Sequence, residues 1–401
     1  MRPAATILTL SWLVAFNLRS GLIGLGPSLP DVTADLELSF AQASFLVAVP
    51  TLMMGVMAVP GGGLVDRWGP VIAIAVGMAL VAVGGGLRAA APDFALLLVM
   101  TFVFGAGVGL SQPSLPRLMR AHFPLRLGVS TGIYASGLIT GSIVAASLTG
   151  PFLDRTADPA AWRQPLAFWG ALAAAVFALW VVALRPGRSR RPAVASVSRG
   201  ERAAAAAWSP WRDGGAWIAA TLFAAQGLVY YLLVAWLPAI YGEAGLGATA
   251  TAALFAVFNA ATLPAIILFP SWSDRLGRRR PPIFVAAVCG LVGVAGLLAA
   301  PAAEPWRWVW PALAGLAVSG LFAMSLVLPA DIAPRGHTGA AAGMVLGVGY
   351  AAAALGPVVA GVVRDVTGSF QAALLLLVGF AAAMIALAFV APELPQPSAR
   401  H

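Results

Sequence analysis

A chain of 401 residues that is 60% hydrophobic and only 10% charged, with a mean hydropathy of +0.89, is no ordinary water-soluble domain; its solvent is lipid. All 24 basic residues are arginine against 15 acidic ones, giving a net charge of +9. The arginines lie in short loops beside apolar stretches rather than on one soluble face, which argues against nucleic acid and for anionic headgroups as their partners. A single cysteine, Cys289, excludes a disulfide framework and a paired-cysteine metal site.

Twelve apolar stretches of about 20 residues are each long enough to cross the hydrocarbon core as a helix. The first, Ala5 to Leu29, begins almost at the N-terminus with only Arg2 ahead of it and is expected to remain in place. Arg19 stands about fourteen residues into it, roughly 21 Å along at about 1.5 Å per residue. An arginine cannot shed its charge by losing a proton, and holding it mid-bilayer costs about 2.5 to 3.5 kcal/mol. Arg19 is therefore expected to face a wet cavity or a bound anion. Asn17, two positions away and about 200° around the helix, points towards a neighbouring helix instead, and as a direct ligand is the weaker candidate. Further spans run Ala41 to Leu64, Val71 to Arg88, Phe94 to Leu115, Gly128 to Gly150 and Pro165 to Leu184, with Gln112 and Tyr134 as polar groups deep enough to meet a solute.

The stretch Arg185 to Asp213 carries Arg188, Arg190, Arg191, Arg199 and Arg202 among small residues and reads as a solvated connector. Six more spans follow: Trp217 to Tyr241, Ala248 to Trp272, Pro282 to Ala300, Trp308 to Leu328, Thr338 to Val362 and Ala372 to Ala391. The expected division is an N-terminal half (1–184), a linker (185–213) and a C-terminal half (214–401). Gln226 and Tyr230, four residues apart on the seventh span, share a face. Tyr231, Asn259 and Tyr350 complete the candidate set; Tyr231 and Trp236 also read as interfacial anchors, and His337 as a solvated loop residue. Placing the N-terminus inside puts most arginines inside, so both termini are expected on the cytoplasmic face of the cell membrane.

Asp66, Arg67 and Gly69 after the second span correspond to Asp274, Arg275 and Gly277 after the eighth, an offset of 208 that carries Arg19 to within one position of Gln226. Gly132, Gly150 and Asp154 match Gly343, Gly361 and Asp365 at an offset of 211. The reading is an all-α integral membrane protein of twelve helices in two parallel six-helix halves. In the repeated motif glycine permits a tight turn, while aspartate and arginine at helix ends can pair or cap across the interface between halves, as a gate. The pattern resembles the loop motif of the major facilitator superfamily, with Pro70 where a basic residue is common and Pro270 replacing the glycine four residues before Asp274.

A closer likeness rests on Asn17-Leu18-Arg19 with Gly26-Pro27, on Gln112 and Pro116 leading to Phe123-Pro124, and on Tyr230-Tyr231 with Trp236-Leu237-Pro238. With Gly343-Met344, Gly349-Tyr350 and Gly356-Pro357, these are similar to the cyanate and 2-nitroimidazole porter family of that superfamily. Ser20 stands where a proline often follows the arginine, and Leu346 where a glutamine is usual. The resemblance implies transport of a small polar or anionic solute by alternating access, without a cofactor or metal.

Arg19 leads the expected site because its planar guanidinium suits planar anions better than a point charge does. None of the carboxylates falls well inside a predicted span and there is no lysine, so a buried proton carrier is missing. Coupling stays open between Asp31 at the edge of the first span, a proton carried by the substrate, a counter-anion and simple uniport. The same absence counts against an organic-cation exporter. The alternative is export of neutral nitro-heterocycles or drug-like compounds. A substrate sensor or membrane enzyme is less supported, since no nucleophile sits beside a base and no loop cradles phosphate. The chain is expected to work as a monomer in the bilayer.

Overall fold

The computed structural model describes residues 4–57, 60–153, 158–184, 208–334 and 337–393, and among them all regular structure is helical. The linker arginines 188–202 and Asp154 lie outside the described residues. The first span is α1 (Ala4–Ile23) and α2 (Leu25–Asp35), broken at Gly24 just ahead of Gly26-Pro27. The second is α3 (Phe40–Val56) followed by α4 (Pro60–Trp68), where a single span to Leu64 was expected; α4 opens on a proline, which needs no amide partner in a first turn. Then come α5 (Pro70–Ala89), α6 (Phe94–His122), α7 (Leu127–Leu153) and α8 (Arg163–Leu184).

In the second half, α9 (Gly214–Glu243), α10 (Ala248–Leu276), α11 (Arg280–Ala299) and α12 (Trp306–Ile332) are followed by the eleventh span. That span is α13 (Thr338–Ala353) and α14 (Leu355–Thr367), broken at Ala354 before Gly356-Pro357 as the first is before Gly26-Pro27; α15 (Gln371–Val390) is last. Among the described residues eleven spans are long and apolar enough to cross a membrane, and α3 is a shorter apolar helix in the second position. Several ends were legible locally. Ser39 and Gln42 form a capping box on α3, and Asp93 and Asp213 cap α6 and α9 through Leu96 N and Ala216 N, each at 2.9 Å. Such caps contribute about 1 kcal/mol each. Large apolar side chains such as Val182, Leu375 and Phe389 point outwards, as a lipid solvent requires.

The same pairings recur in both halves. In the first, α1 packs on α7, α5 on α6 and α8, and α3 on α6; in the second, α9 packs on α13, α11 on α12 and α15, and α10 on α12. The halves meet through α7 on α10, α14 and α13 on α3, and α9 on α2. These meetings are tightest at the end distal to the linker. There a Cβ on Gly150 would lie 2.5 Å from Ala252 Cβ, and one on Gly361 would fall on Ser44 Oγ and the Phe40 carbonyl. Only hydrogen fits at either contact.

Polar bonds lock this distal seal. Both oxygens of Asp365 accept backbone bonds from the N-terminus of α3, Phe40 N and Ala41 N, at 2.8 Å each. Arg364 donates to Glu243 at 2.7 Å and lies 4.7 Å from the Phe40 ring centroid. The Pro357 carbonyl accepts from Ser44 Oγ at 2.7 Å and from Trp236 Nε1 at 3.1 Å, joining α14 to α3 and α9. Trp236 is thus fully buried rather than an interfacial anchor, because its indole N–H has a partner inside the bundle. His337 is likewise buried, against Trp208 at 5.3 Å, rather than solvated.

The expected gate residues sit at the linker end. Arg67 is exposed in the last turn of α4, Gly69 turns the chain at φ 81°, and the Asp66 side chain lies outside the described residues. Asp274 and Arg275 lie in the last turn of α10 rather than in a loop, and Gly277 ends that helix at φ 63°, a left-handed geometry that favours glycine. Asp274 pairs with the buried Arg279 at 2.6 Å, and Arg279 with Asp331 at 2.8 Å. Burial opposes the Arg279 charge, but the two carboxylates outweigh it and hold the guanidinium above its ordinary value. Glu393 accepts from Arg279 N at 2.6 Å, at the start of α11. This network ties α10, α11 and α12 within one half. Among the described residues, the carboxylate seen capping across the halves belongs to Asp365.

Candidate functional site

A central cavity of about 130 Å³ lies between the halves, walled by α1, α6 and α7 on one side and by α9, α10, α12 and α13 on the other. One water needs roughly 10 to 15 Å³ on a comparable measure, so the cavity has room for a small organic solute. Arg19 projects into it from α1, with Gln112 from α6. From α9 come Phe223, Gln226, Gly227 and Tyr230, whose spacing of three, four and seven residues is one helical face, followed by Tyr231. Tyr350 enters from α13.

The charge at the centre is poorly matched by the protein itself. Arg19 Nη1 is buried with no hydrogen-bond partner. The guanidinium is hydrogen-bonded to the Tyr231 hydroxyl, its carbon lies 5.9 Å from the Tyr230 ring centroid, and the phenols of Tyr230 and Tyr350 are close enough to feel its charge, but none of these contacts is ionised at neutral pH. Tyr350 is in turn hydrogen-bonded by Gln112. Among the described residues no aspartate or glutamate lines the cavity. A buried cation with an unused donor and no counter-carboxylate favours an anion, because desolvating a charge without a partner is costly.

Six of the nine expected solute contacts therefore line one cavity: Arg19, Gln112, Gln226, Tyr230, Tyr231 and Tyr350. Tyr231, read also as an interfacial anchor, is buried with its hydroxyl 3.8 Å from Met54 Sδ. The other three stand off the wall. Asn17 is buried on the far side of α1, as its angular separation from Arg19 dictates. Asn259 spends its amide N–H on the Phe255 carbonyl at 2.9 Å, one turn back on its own helix. Tyr134 packs half-buried against the core one turn before Leu138, which does line the cavity.

Sequence reasoning missed the apolar wall: Phe223, Phe322, Leu138, Ile139 and Ile266. It also missed a second buried cation. Arg88, expected at the edge of a span, is fully buried, donates to the Gly21 carbonyl at 3.1 Å and lies 4.0 Å from the Phe104 centroid. Arg88 is not on the cavity wall. Among the described residues no cluster of histidine, cysteine and carboxylates could hold a metal.

A family model described as Major Facilitator Superfamily matches residues 10–357. The cyanate transport protein CynX of Escherichia coli K12 is 29% identical over 360 residues, covering 89% of this chain and 90% of its own. The 2-nitroimidazole transporter of the same organism is 27% identical over 365 residues, covering 90% and 89%. Among solved structures, a bacterial homolog of the human lysosomal transporter Spinster, in an inward-facing and unoccupied conformation, superposes with a TM-score of 0.80 at 16% identity over 97% of both chains. With the helices paired alike in two halves around a central cavity, the chain belongs to the Major Facilitator Superfamily and is a multi-pass membrane transporter, not an enzyme.

Proposed function

We propose that the protein moves a small anionic solute, of the cyanate, nitrate or small-carboxylate type, across the cell membrane by alternating access. The observation that carries this reading is Arg19: a cation mid-span, on the wall shared by both halves, with an unused buried donor and no acidic neighbour in the cavity. The name of the cyanate relative supports the same class. In this reading the two halves are residues 1–184 and 214–401, both termini face the cytoplasm as the arginine distribution favours, and a single chain suffices. The distal seal then closes the outer side, leaving the cavity facing inwards. The motif residues Asp66, Arg67, Gly69, Asp274, Arg275 and Gly277 organise the opposite gate.

With no carboxylate on the cavity wall, coupling falls to anion exchange, uniport or a proton carried by the solute. A second reading, export of neutral nitro-heterocycles, is favoured by the aromatic lining and by the 2-nitroimidazole relative. Thermal stabilisation of the purified protein by matched panels of small anions, neutral nitro-heterocycles and lipophilic cations separates them, since binding to the native state raises apparent stability. The expected result is stabilisation by one class of anion. Stabilisation by neutral heterocycles or cations alone would sink the anion reading.

A further inference from the structure

The cavity wall is mostly apolar, and its charge and phenols sit together: Arg19 with Tyr230, Tyr231 and Tyr350. Three hydroxyls line the wall, but each is already used: Ser142 Oγ donates to the Leu138 carbonyl at 3.1 Å, Thr262 Oγ1 to the Asn259 carbonyl at 2.6 Å, and Ser319 Oγ to the Thr262 carbonyl at 3.0 Å. The donors left for a solute are Arg19 Nη1, the Tyr230 phenol and the Gln226 amide, since the Tyr231 hydroxyl meets Met54 Sδ and Gln112 engages Tyr350. Away from that group the wall is aromatic on one side. Phe223 meets Phe322 at 5.5 Å between centroids and Tyr350 edge-on at 5.1 Å, so rings run in contact from the apolar region to the neighbourhood of Arg19. From α7 the wall receives aliphatic side chains: Ala135, Leu138 and Ile139.

A compact inorganic anion fits this arrangement badly. Nitrate or cyanate is hydrated on every side, and here it would give up that shell for a single cluster of donors. Three or four heavy atoms would also leave most of the cavity to water held against apolar walls. A flat ring bearing one carboxylate fits both halves of the slot: the carboxylate takes the guanidinium fork, and the ring lies among Phe223, Phe322 and the α7 aliphatics.

Resting on the reading of the cavity as an anion site, we propose that the solute is a single-ring aromatic or heteroaromatic monocarboxylate. The carboxylate sits on Arg19, and the ring occupies the slot between Phe223 with Phe322 and Leu138 with Ile139. Phe223 and Phe322 then set selectivity by ring contact, and Arg19 sets it by charge.

Equilibrium binding of sodium benzoate, cyclohexanecarboxylate, acetate, nitrate and cyanate to the purified full-length protein tests this. Benzoate is expected to bind at least about tenfold more tightly than acetate, nitrate or cyanate, and more tightly than the non-planar cyclohexane acid. Phe322→Leu, which keeps an apolar side chain but removes the ring, is expected to weaken benzoate roughly three- to tenfold while leaving nitrate unchanged. Phe223→Ala is the harsher companion, and retention of nitrate binding in either variant shows that the cavity is still folded. If nitrate or cyanate binds as tightly as benzoate, and loses that binding in Arg19→Ala, the aromatic class is wrong and the anion site stands. If none of these anions shows Arg19-dependent binding, both readings fall.

Discussion

Gly361→Leu is expected to abolish transport while leaving a folded protein biased towards the arrangement open at the distal end. Position 361 has no room for a first carbon beyond Cα: a Cβ falls on Ser44 Oγ and the Phe40 carbonyl, with the Phe40 carbonyl carbon at 2.7 Å. A leucine there must push α14 off α3, which also breaks the two Asp365 bonds to Phe40 N and Ala41 N. Overpacking of this kind costs about 3 kcal/mol, roughly a 150-fold change in an equilibrium between two arrangements. Alternating access needs both arrangements, so one made that rare stops the cycle. Gly379→Leu on α15, where a Cβ meets nothing within 4 Å, is the control and transports normally. Uptake in proteoliposomes reads the effect. Distances between labels on the two halves at the distal end read its cause, after removal of the single native cysteine, Cys289. Normal uptake by Gly361→Leu would mean that the distal seal is not part of the cycle.

The second large effect is at Arg19. Arg19→Ala is expected to cut apparent affinity for the transported anion on the order of 100-fold, the scale of losing one charged partner in a desolvated site. The protein without solute is expected to melt no lower than wild type, because the variant removes a buried cation whose Nη1 has no partner. Arg19→Lys keeps the charge but loses the planar fork, and falls between. A structural arginine would behave in the opposite way: the variant would melt lower and any anion that still bound would do so with unchanged affinity.

How much could be read in advance depended on whether a feature was local. The spans were legible because twenty apolar residues in a row have few other uses, and the halves because Asp66-Arg67 and Asp274-Arg275 recur at one offset. Arg19 was legible because a charge deep in a span needs a reason, and Gln226 with Tyr230 because four residues make a turn. Phe223, Phe322 and Ile139 were not, since a membrane helix is apolar towards lipid, core and cavity alike and periodicity loses its meaning. Arg88 drew no notice because it falls at a span's edge; only the fold shows Phe104 beneath it. Asp365 appeared in the repeat, but its partner is the start of α3, some 325 residues away. No local signal names that helix.

If the cavity reads negative charge through Arg19, an anion must bind better than a neutral molecule of the same shape. The most direct test titrates the purified protein with the best-binding anion and its uncharged isostere, an amide for a carboxylate or nitromethane for nitrate. The anion is expected to bind wild type on the order of 100-fold more tightly than the isostere, and the gap is expected to close in Arg19→Ala. Equal binding of the uncharged isostere to wild type would contradict it.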